Sequence, residues 1–131
     1  MNNFQFYNPV KIIFGKETIP SLSKEVPADQ KIMLLYGGGS IKKNGVYDQV
    51  IKALGSREVI EFSGIEANPE FETCLKAVEL AKEKGVGFLL AVGGGSVIDA
   101  TKFIAAALPL EGKDPWKILT GRVIPKSAMP F

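Results

Sequence analysis

The sequence predicts an α/β fold: a three-layer domain in which a mostly parallel sheet is covered by helices on both faces, preceded by an N-terminal β-hairpin. Three observations carry this expectation. Compact strand-like runs occur at 31–36 (KIMLLY), 57–62 (REVIEF) and 86–92 (VGFLLAV). Each is followed by a segment whose apolar residues recur every three or four positions, the spacing of one helix face. The first and third runs end abruptly in three consecutive glycines, at 37–39 and 93–95. Continuous apolar strands must be buried on both faces, and a parallel sheet with right-handed helical crossovers meets that demand.

Taken in chain order, FQFY at 4–7 and VKIIF at 10–14 read as two short strands around a turn at Asn8 and Pro9, with Gly15 closing the second. A short helical segment is expected over 21–26, after which Pro27, Ala28 and Asp29 return the chain to the strand at 31–36. Val46, Val50 and Leu54 then recur at four-residue spacing beside Tyr47 and Ile51, which predicts a helix over about 45–54 that stops at Gly55. The strand at 57–62 leads through SGIEANP, where Pro69 suits the start of a helix. That helix runs from about Glu70 to Lys84, with Phe71, Cys74, Leu75, Val78 and Ala81 on its apolar side and Gly85 as its C-terminal cap. An alanine-rich helix from about Ser96 to Leu108 follows the strand at 86–92, and residues 114–119 make a further turn with Trp116 as a packing anchor. VIPKSAMPF at 123–131 heads back toward the sheet, and its few apolar residues read as a fourth crossover cut inside a larger fold.

Composition narrows the function classes. The chain has 131 residues, enough for one domain with a sizeable core. Sixteen Lys and Arg stand against 14 Asp and Glu, interspersed rather than gathered, so no basic footprint for nucleic acid is expected. The single cysteine, Cys74, cannot form an intrachain disulfide, and as a free thiol on an apolar helix face it fits a reducing cytoplasm. No basic segment followed by an apolar run opens the chain, and no run of 18 apolar residues occurs, so neither export nor membrane spanning is expected. There is no histidine, which removes the commonest transition-metal ligand and the usual neutral-pH base.

The glycine corners carry the chemistry. In GGGSVIDATK at 93–102, absent side chains let the backbone turn and approach a ligand, while the following helix offers unpaired N–H groups and the positive end of its dipole. The Ser96 hydroxyl can cap that helix or share itself with a phosphate oxygen. Asp99 lies three residues on, the spacing of a capping pair; a carboxylate there would be repelled by pyrophosphate, so a functional Asp99 would orient a sugar, an amide or water instead. Lys102 can offset local negative charge or stand solvated. Neither GxGxxG nor GxxxxGK[ST] occurs. Two strand-corner-helix units at one edge of a parallel sheet nevertheless define a Rossmann-like crevice for a two-ended phosphate ligand.

In order and at matching spacing, FYNPVKIIFG at 6–15, LLYGGGSIKKNGVYDQV at 34–50, FSGIEANP at 62–69, FLLAVGGGSVIDATKFIA at 88–105, DPW at 114–116 and KSAMP at 126–130 are similar to the iron-containing alcohol dehydrogenases. The branch they resemble is the NADPH-dependent aldehyde reductases and butanol dehydrogenases. The resemblance implies an N-terminal dinucleotide-binding domain over 1–131, followed in complete relatives by a helical domain that binds a divalent metal, iron or zinc, through one Asp and three His residues. It further implies that Gly93, Gly94, Gly95 and Ser96 contact pyrophosphate, that Asp99 lies at the nicotinamide side, and that Gly37, Gly38, Gly39 and Ser40 lie near the adenosine ribose. Relatives favouring NADH often carry Asp where this chain has Gly39, so Ser40 and Lys43 are expected to meet the 2′-phosphate of NADPH. A chain without histidine cannot reproduce the metal set, so this segment would supply cofactor position and would not catalyse alone. Small aldehydes or alcohols are the implied substrates, and a homodimer is among the expected assemblies. A freestanding nucleotide-binding module, or part of a related polyol-phosphate dehydrogenase or metal-dependent lyase, fits the same corners.

Overall fold

A computed structural model describes all of residues 1–131. Its centre is a three-stranded sheet of order β2-β1-β3, where β1 is Ile32–Leu35, β2 is Val59–Phe62 and β3 is Phe88–Ala91. Both pairings are parallel, with Ile32 opposite Val59 and Phe88, and Leu35 opposite Phe62 and Ala91. The expected parallel sheet is therefore present, and its apolar centre strand is buried throughout.

Side chains alternate across the sheet with the two-residue period of a strand. Met33, Leu35 and Leu89 face a core built with α4 (Phe71–Lys84) and α5 (Gly95–Ala107). Ile32, Leu34 and Tyr36 face a second core with Val50 and Leu54 of α3 (Val46–Leu54) and the partly buried Leu22 of α1 (Leu22–Glu25). Leu35 is fully buried, and its truncation to alanine costs about 2–5 kcal/mol by the usual core-cavity scale. Burial, and after it the charge of Glu66, pushes the Cys74 thiol up, which keeps it a neutral packing group in the first core.

The glycine stops fall where expected: Gly85 caps α4 in the left-handed region at φ 67°, its N–H bonded to the carbonyls of Ala81 and Lys82. An extra four-residue helix, α2 (Ser40–Lys43), precedes α3 and is separated from it by left-handed Gly45, φ 80°. Trp116 opens α6 (Trp116–Leu119) and stacks edge-on against Phe71 at 5.0 Å, the anchoring role expected of it. The tail also behaves as expected without forming a strand: Pro130 accepts a bond from the Leu89 N–H on the outer edge of β3 at 2.9 Å, and Met129 N–H bonds Ala105 O at 2.8 Å.

Two expectations fail. No strand occurs before Ile32, so the N-terminal β-hairpin is absent. Phe4, Ile12 and Phe14 are 79%, 82% and 97% exposed, and residues 1–14 make no backbone–backbone hydrogen bond. Strand-like alternation is not enough here, because an isolated two-stranded ribbon is marginal in water and Pro9 lacks a donor. The second concerns strand ends: the runs expected over 31–36, 57–62 and 86–92 shorten to β1, β2 and β3, and residues 57–58 precede β2. The Arg57 guanidinium donates to the carbonyls of Ser23, Val26, Pro27 and Leu54 at 2.8–2.9 Å, tying the ends of α1 and α3 together.

Candidate functional site at the carboxyl edge of the sheet

The connection from β1 goes to β2 on one side, and the next connection crosses to β3 on the other. The strand order therefore reverses between β1 and β3, and both glycine corners lie at the carboxyl ends of these two neighbouring strands. In open parallel sheets this is the crevice where ligands bind. Val97, on the first turn of α5, packs between the corners: its Cγ2 lies 2.7 Å from where a Gly93 Cβ would stand and 4.0 Å from that of Gly37.

The corner after β3 is a ring of free donors. Helix α5 starts at Gly95 with Gly94 as its N-cap, and no side chain caps it. The N–H groups of Gly93, Gly94, Gly95 and Ser96 bond to nothing in the chain, whereas those of Val97 and Ile98 bond to Gly94 O at 3.1 and 3.2 Å. The three glycines differ in their reasons for being glycine. Gly93 is required by the packing of Val97. Gly94 and Gly95 are not left-handed, and a Cβ on either would meet open space, so the fold itself does not demand glycine there.

The expected capping pair does not form. Ser96 sits inside the first turn rather than before it, and its hydroxyl donates to the carbonyl of Ala67, holding the β2–α4 loop against the corner. Asp99 is three-quarters exposed and lies 3.9 Å from the Lys102 ammonium. The same loop is fixed at its other end by Gly64 N–H on Gly37 O at 2.9 Å and Ile65 N–H on Tyr36 O at 3.3 Å. Glu66 accepts the Thr73 hydroxyl at 2.6 Å, and that bond first, then backbone N–H groups, hold its carboxyl below the usual glutamate range.

The corner after β1 is different. Gly37 cannot carry a side chain freely, since its Cβ would lie 3.3 Å from Ile65 O; Gly38 faces open space; Gly39 is left-handed at φ 96°. Around them lies a hollow of about 280 Å³ walled by Tyr36, the glycines, Lys42 and Ser63. Ser40 and Lys43 are the exposed first and last residues of α2, and Lys43 is not among the lining residues. Lys42 is, with its Nζ 4.6 Å from the Tyr47 ring centre, 5.4 Å from that of Tyr36 and 3.7 Å from Glu61 Oε1. The Tyr36 hydroxyl donates to the same carboxylate oxygen at 3.3 Å. The Tyr36 hydroxyl, and after it the Glu61 charge, hold the Lys42 ammonium above the ordinary lysine range; the nearby Glu61 carboxylate raises the Tyr47 phenol.

Sequence reading singled out the glycines, Ser40, Lys43, Ser96 and Asp99 but missed Tyr36, Lys42, Tyr47 and Glu61 as a group, and missed Val97; the lysine that lines the hollow is Lys42, not Lys43. Glu61 carried a signal: it stands about twenty residues beyond the first glycine corner, where dinucleotide folds place an acid. For Val97 no sequence signal existed. No group of three or more His, Cys, Asp or Glu residues in the chain could hold a metal ion.

These features define an α/β domain with a paired glycine-corner crevice. A model of the family described as iron-containing alcohol dehydrogenase matches residues 9–131, and the chain belongs to that family. It is 54% identical to the NADPH-dependent aldehyde reductase YqhD of Escherichia coli over its whole length, and 51% identical over 90% of its length to the NADP-dependent alcohol dehydrogenase 3 of Entamoeba histolytica. Among solved structures, YqhD superposes with a TM-score of 0.93 over 98% of this chain and 34% of its own. The NADH-dependent butanol dehydrogenase A of Thermotoga maritima, 46% identical, also gives 0.93, over 99% of this chain and 33% of its own. The chain thus spans about one third of the length of the relatives it matches.

Proposed function

We propose that this chain is the NADP(H)-binding portion of a metal-dependent alcohol dehydrogenase or aldehyde reductase acting on small aldehydes or alcohols. The observation that carries the reading is the run of four unpaired N–H groups at Gly93–Ser96, at the start of a 13-residue helix and beside two glycines the fold does not need. Such a corner suits pyrophosphate: the donors and the helix dipole face the anion, and a bare backbone permits close approach. The first corner, with Gly37, Gly38, Gly39 and Ser40, takes the adenosine end on this reading, and Asp99 lies toward the nicotinamide.

Bound nicotinamide would supply the hydride, and the residues of this chain would hold and orient it. Val97 and the Ser96–Ala67 contact fix the spacing of the corners, so the dinucleotide meets a preformed edge. The chain's side chains do not fit a metal, so no polarisation of a carbonyl is assigned to them. On the same reading, residues 1–131 are the N-terminal domain of a longer cytoplasmic enzyme whose metal-binding helical domain lies beyond them, with a homodimer as its assembly. The one-third coverage of the relatives supports the domain assignment. No helix is long and apolar enough to cross a membrane.

The test is Gly94→Val. Calorimetric titration with NADP⁺ is expected to show at least a hundredfold weaker binding, about 3 kcal/mol, because a branched side chain enters the cradle and blocks several charge-assisted bonds. The melting temperature should stay within about 2 °C, since the added Cβ meets open space. Unchanged affinity in the folded variant removes the cradle.

A further inference from the structure

A carboxylate that the glycine at position 39 does not remove stands beside the hollow of the first corner, on two of its wall residues. Glu61 projects from β2, opposite Leu34 in the register, and its Oε1 is within 3.3 Å of the Tyr36 hydroxyl at the hollow's wall. In dinucleotide sites an acid on the strand after the glycine corner accepts the ribose 2′-hydroxyl of NADH, and the same charge repels a 2′-phosphate. Gly39 has a backbone reason of its own, φ 96°, so its lack of a carboxylate says little about cofactor choice. The only cation lining the hollow is Lys42, 3.7 Å from Glu61 and lying over two tyrosine rings.

Resting on the dinucleotide reading above, we propose that Lys42 sets the preference for NADPH over NADH by neutralising Glu61 and presenting its ammonium to the 2′-phosphate, and that Glu61 without Lys42 is an NADH-type ribose acceptor. Lys43, one residue on, is exposed and does not line the hollow, and it has no such role. Lys42 and Glu61 side chains are 48% and 38% exposed, so solvent screens the pair and the effect is a change in selectivity rather than in stability.

The experiment compares 2′,5′-ADP with 5′-AMP on the intact protein by calorimetry, two probes that differ only in the 2′-phosphate. Lys42→Ala should weaken 2′,5′-ADP about tenfold, the effect of one screened charge-assisted contact, and leave 5′-AMP within about twofold. Adding Glu61→Gln to Lys42→Ala should recover at least about threefold of that loss, because the repelling charge is gone; Lys43→Ala should change the ratio less than about twofold. The salt dependence of 2′,5′-ADP binding should flatten in Lys42→Ala. An unchanged ratio in Lys42→Ala, a double variant no better than the single one, or a Lys43→Ala loss as large as that of Lys42→Ala overturns the assignment. If the unsubstituted protein binds neither 2′,5′-ADP nor NADP⁺, the dinucleotide reading itself fails, and this inference with it; binding of both with a Lys42-independent ratio overturns only the inference.

Discussion

The two glycine corners share a sequence, GGGS, and differ in almost everything the sequence feeds into. The one after β3 opens a 13-residue helix and offers bare backbone donors. The one after β1 opens a helix of four residues, broken from the next by Gly45, and surrounds its glycines with Tyr36, Lys42 and Ser63, with Glu61 behind them on Tyr36 and Lys42. A long helix concentrates dipole and unpaired N–H groups at its start, which suits any phosphate. A short one provides little of either, so recognition there falls to side chains. On the dinucleotide reading proposed above, the lesson is a division of labour: backbone for the group common to all dinucleotides, side chains for the group that distinguishes them.

The comparison can be broken most sharply at Gly93. Its Cβ would stand 2.7 Å from Val97 Cγ2, so Gly93→Ala should lose about 1–3 kcal/mol in urea denaturation, the range for overpacking, whereas Gly94→Ala should not. Adding Val97→Ala should return part of the Gly93→Ala loss, a non-additivity that a double-mutant cycle measures. Equal stability of Gly93→Ala and Gly94→Ala would erase the distinction between structural and ligand-facing glycines.

A smaller effect is expected at Ser96. Ser96→Ala should cost about 1 kcal/mol or less, and it should speed amide exchange in the β2–α4 loop around Ala67 rather than within α5, because the hydroxyl tethers the loop and caps nothing. Exchange that rises in the first turn of α5 and not in the loop would restore a capping role.

The smallest effect concerns acid. The native Glu66 carboxyl is held below its ordinary range by Thr73, so its contribution is fully present above the unfolded glutamate pKa of about 4.3 and is lost as pH falls through the lower native value. Glu66→Gln should therefore narrow the gap in melting temperature between pH 6 and pH 3, roughly the window around that pKa. An unchanged gap would show that the Thr73 contact does not persist in solution.

The fold was legible wherever burial dictates pattern. Ile32, Leu34, Met33 and Leu35 alternate between two cores, and both α3 and α4 bury the residues that recur at helical spacing, so periodicity located them. Gly85 and Gly55 marked helix ends because backbone geometry favours glycine there. The hairpin was misread for the complementary reason: Phe4, Val10, Ile12 and Phe14 have strand-like spacing, but pattern says nothing about whether a partner exists. At the site, the glycines were visible and their individual duties were not. Whether Gly93 yields to Val97 or Gly94 to open space depends on packing four residues on, and the Lys42–Glu61 contact joins residues whose proximity arises only from strand pairing.

Arg57 ties those observations together. Its planar guanidinium fork reaches four carbonyls from two separate stretches of chain, 23–27 and Leu54, immediately before β2 begins. Lysine could not replace it, having no fork. In effect Arg57 is a register pin: it fixes which residue of β2 comes first, and side chains on a strand change faces with every single-residue slip. Moved by one position, β2 would present Ile60 or Phe62 where Glu61 now faces Lys42. The charge pattern beside the first glycine corner is thus set by a residue that touches none of it.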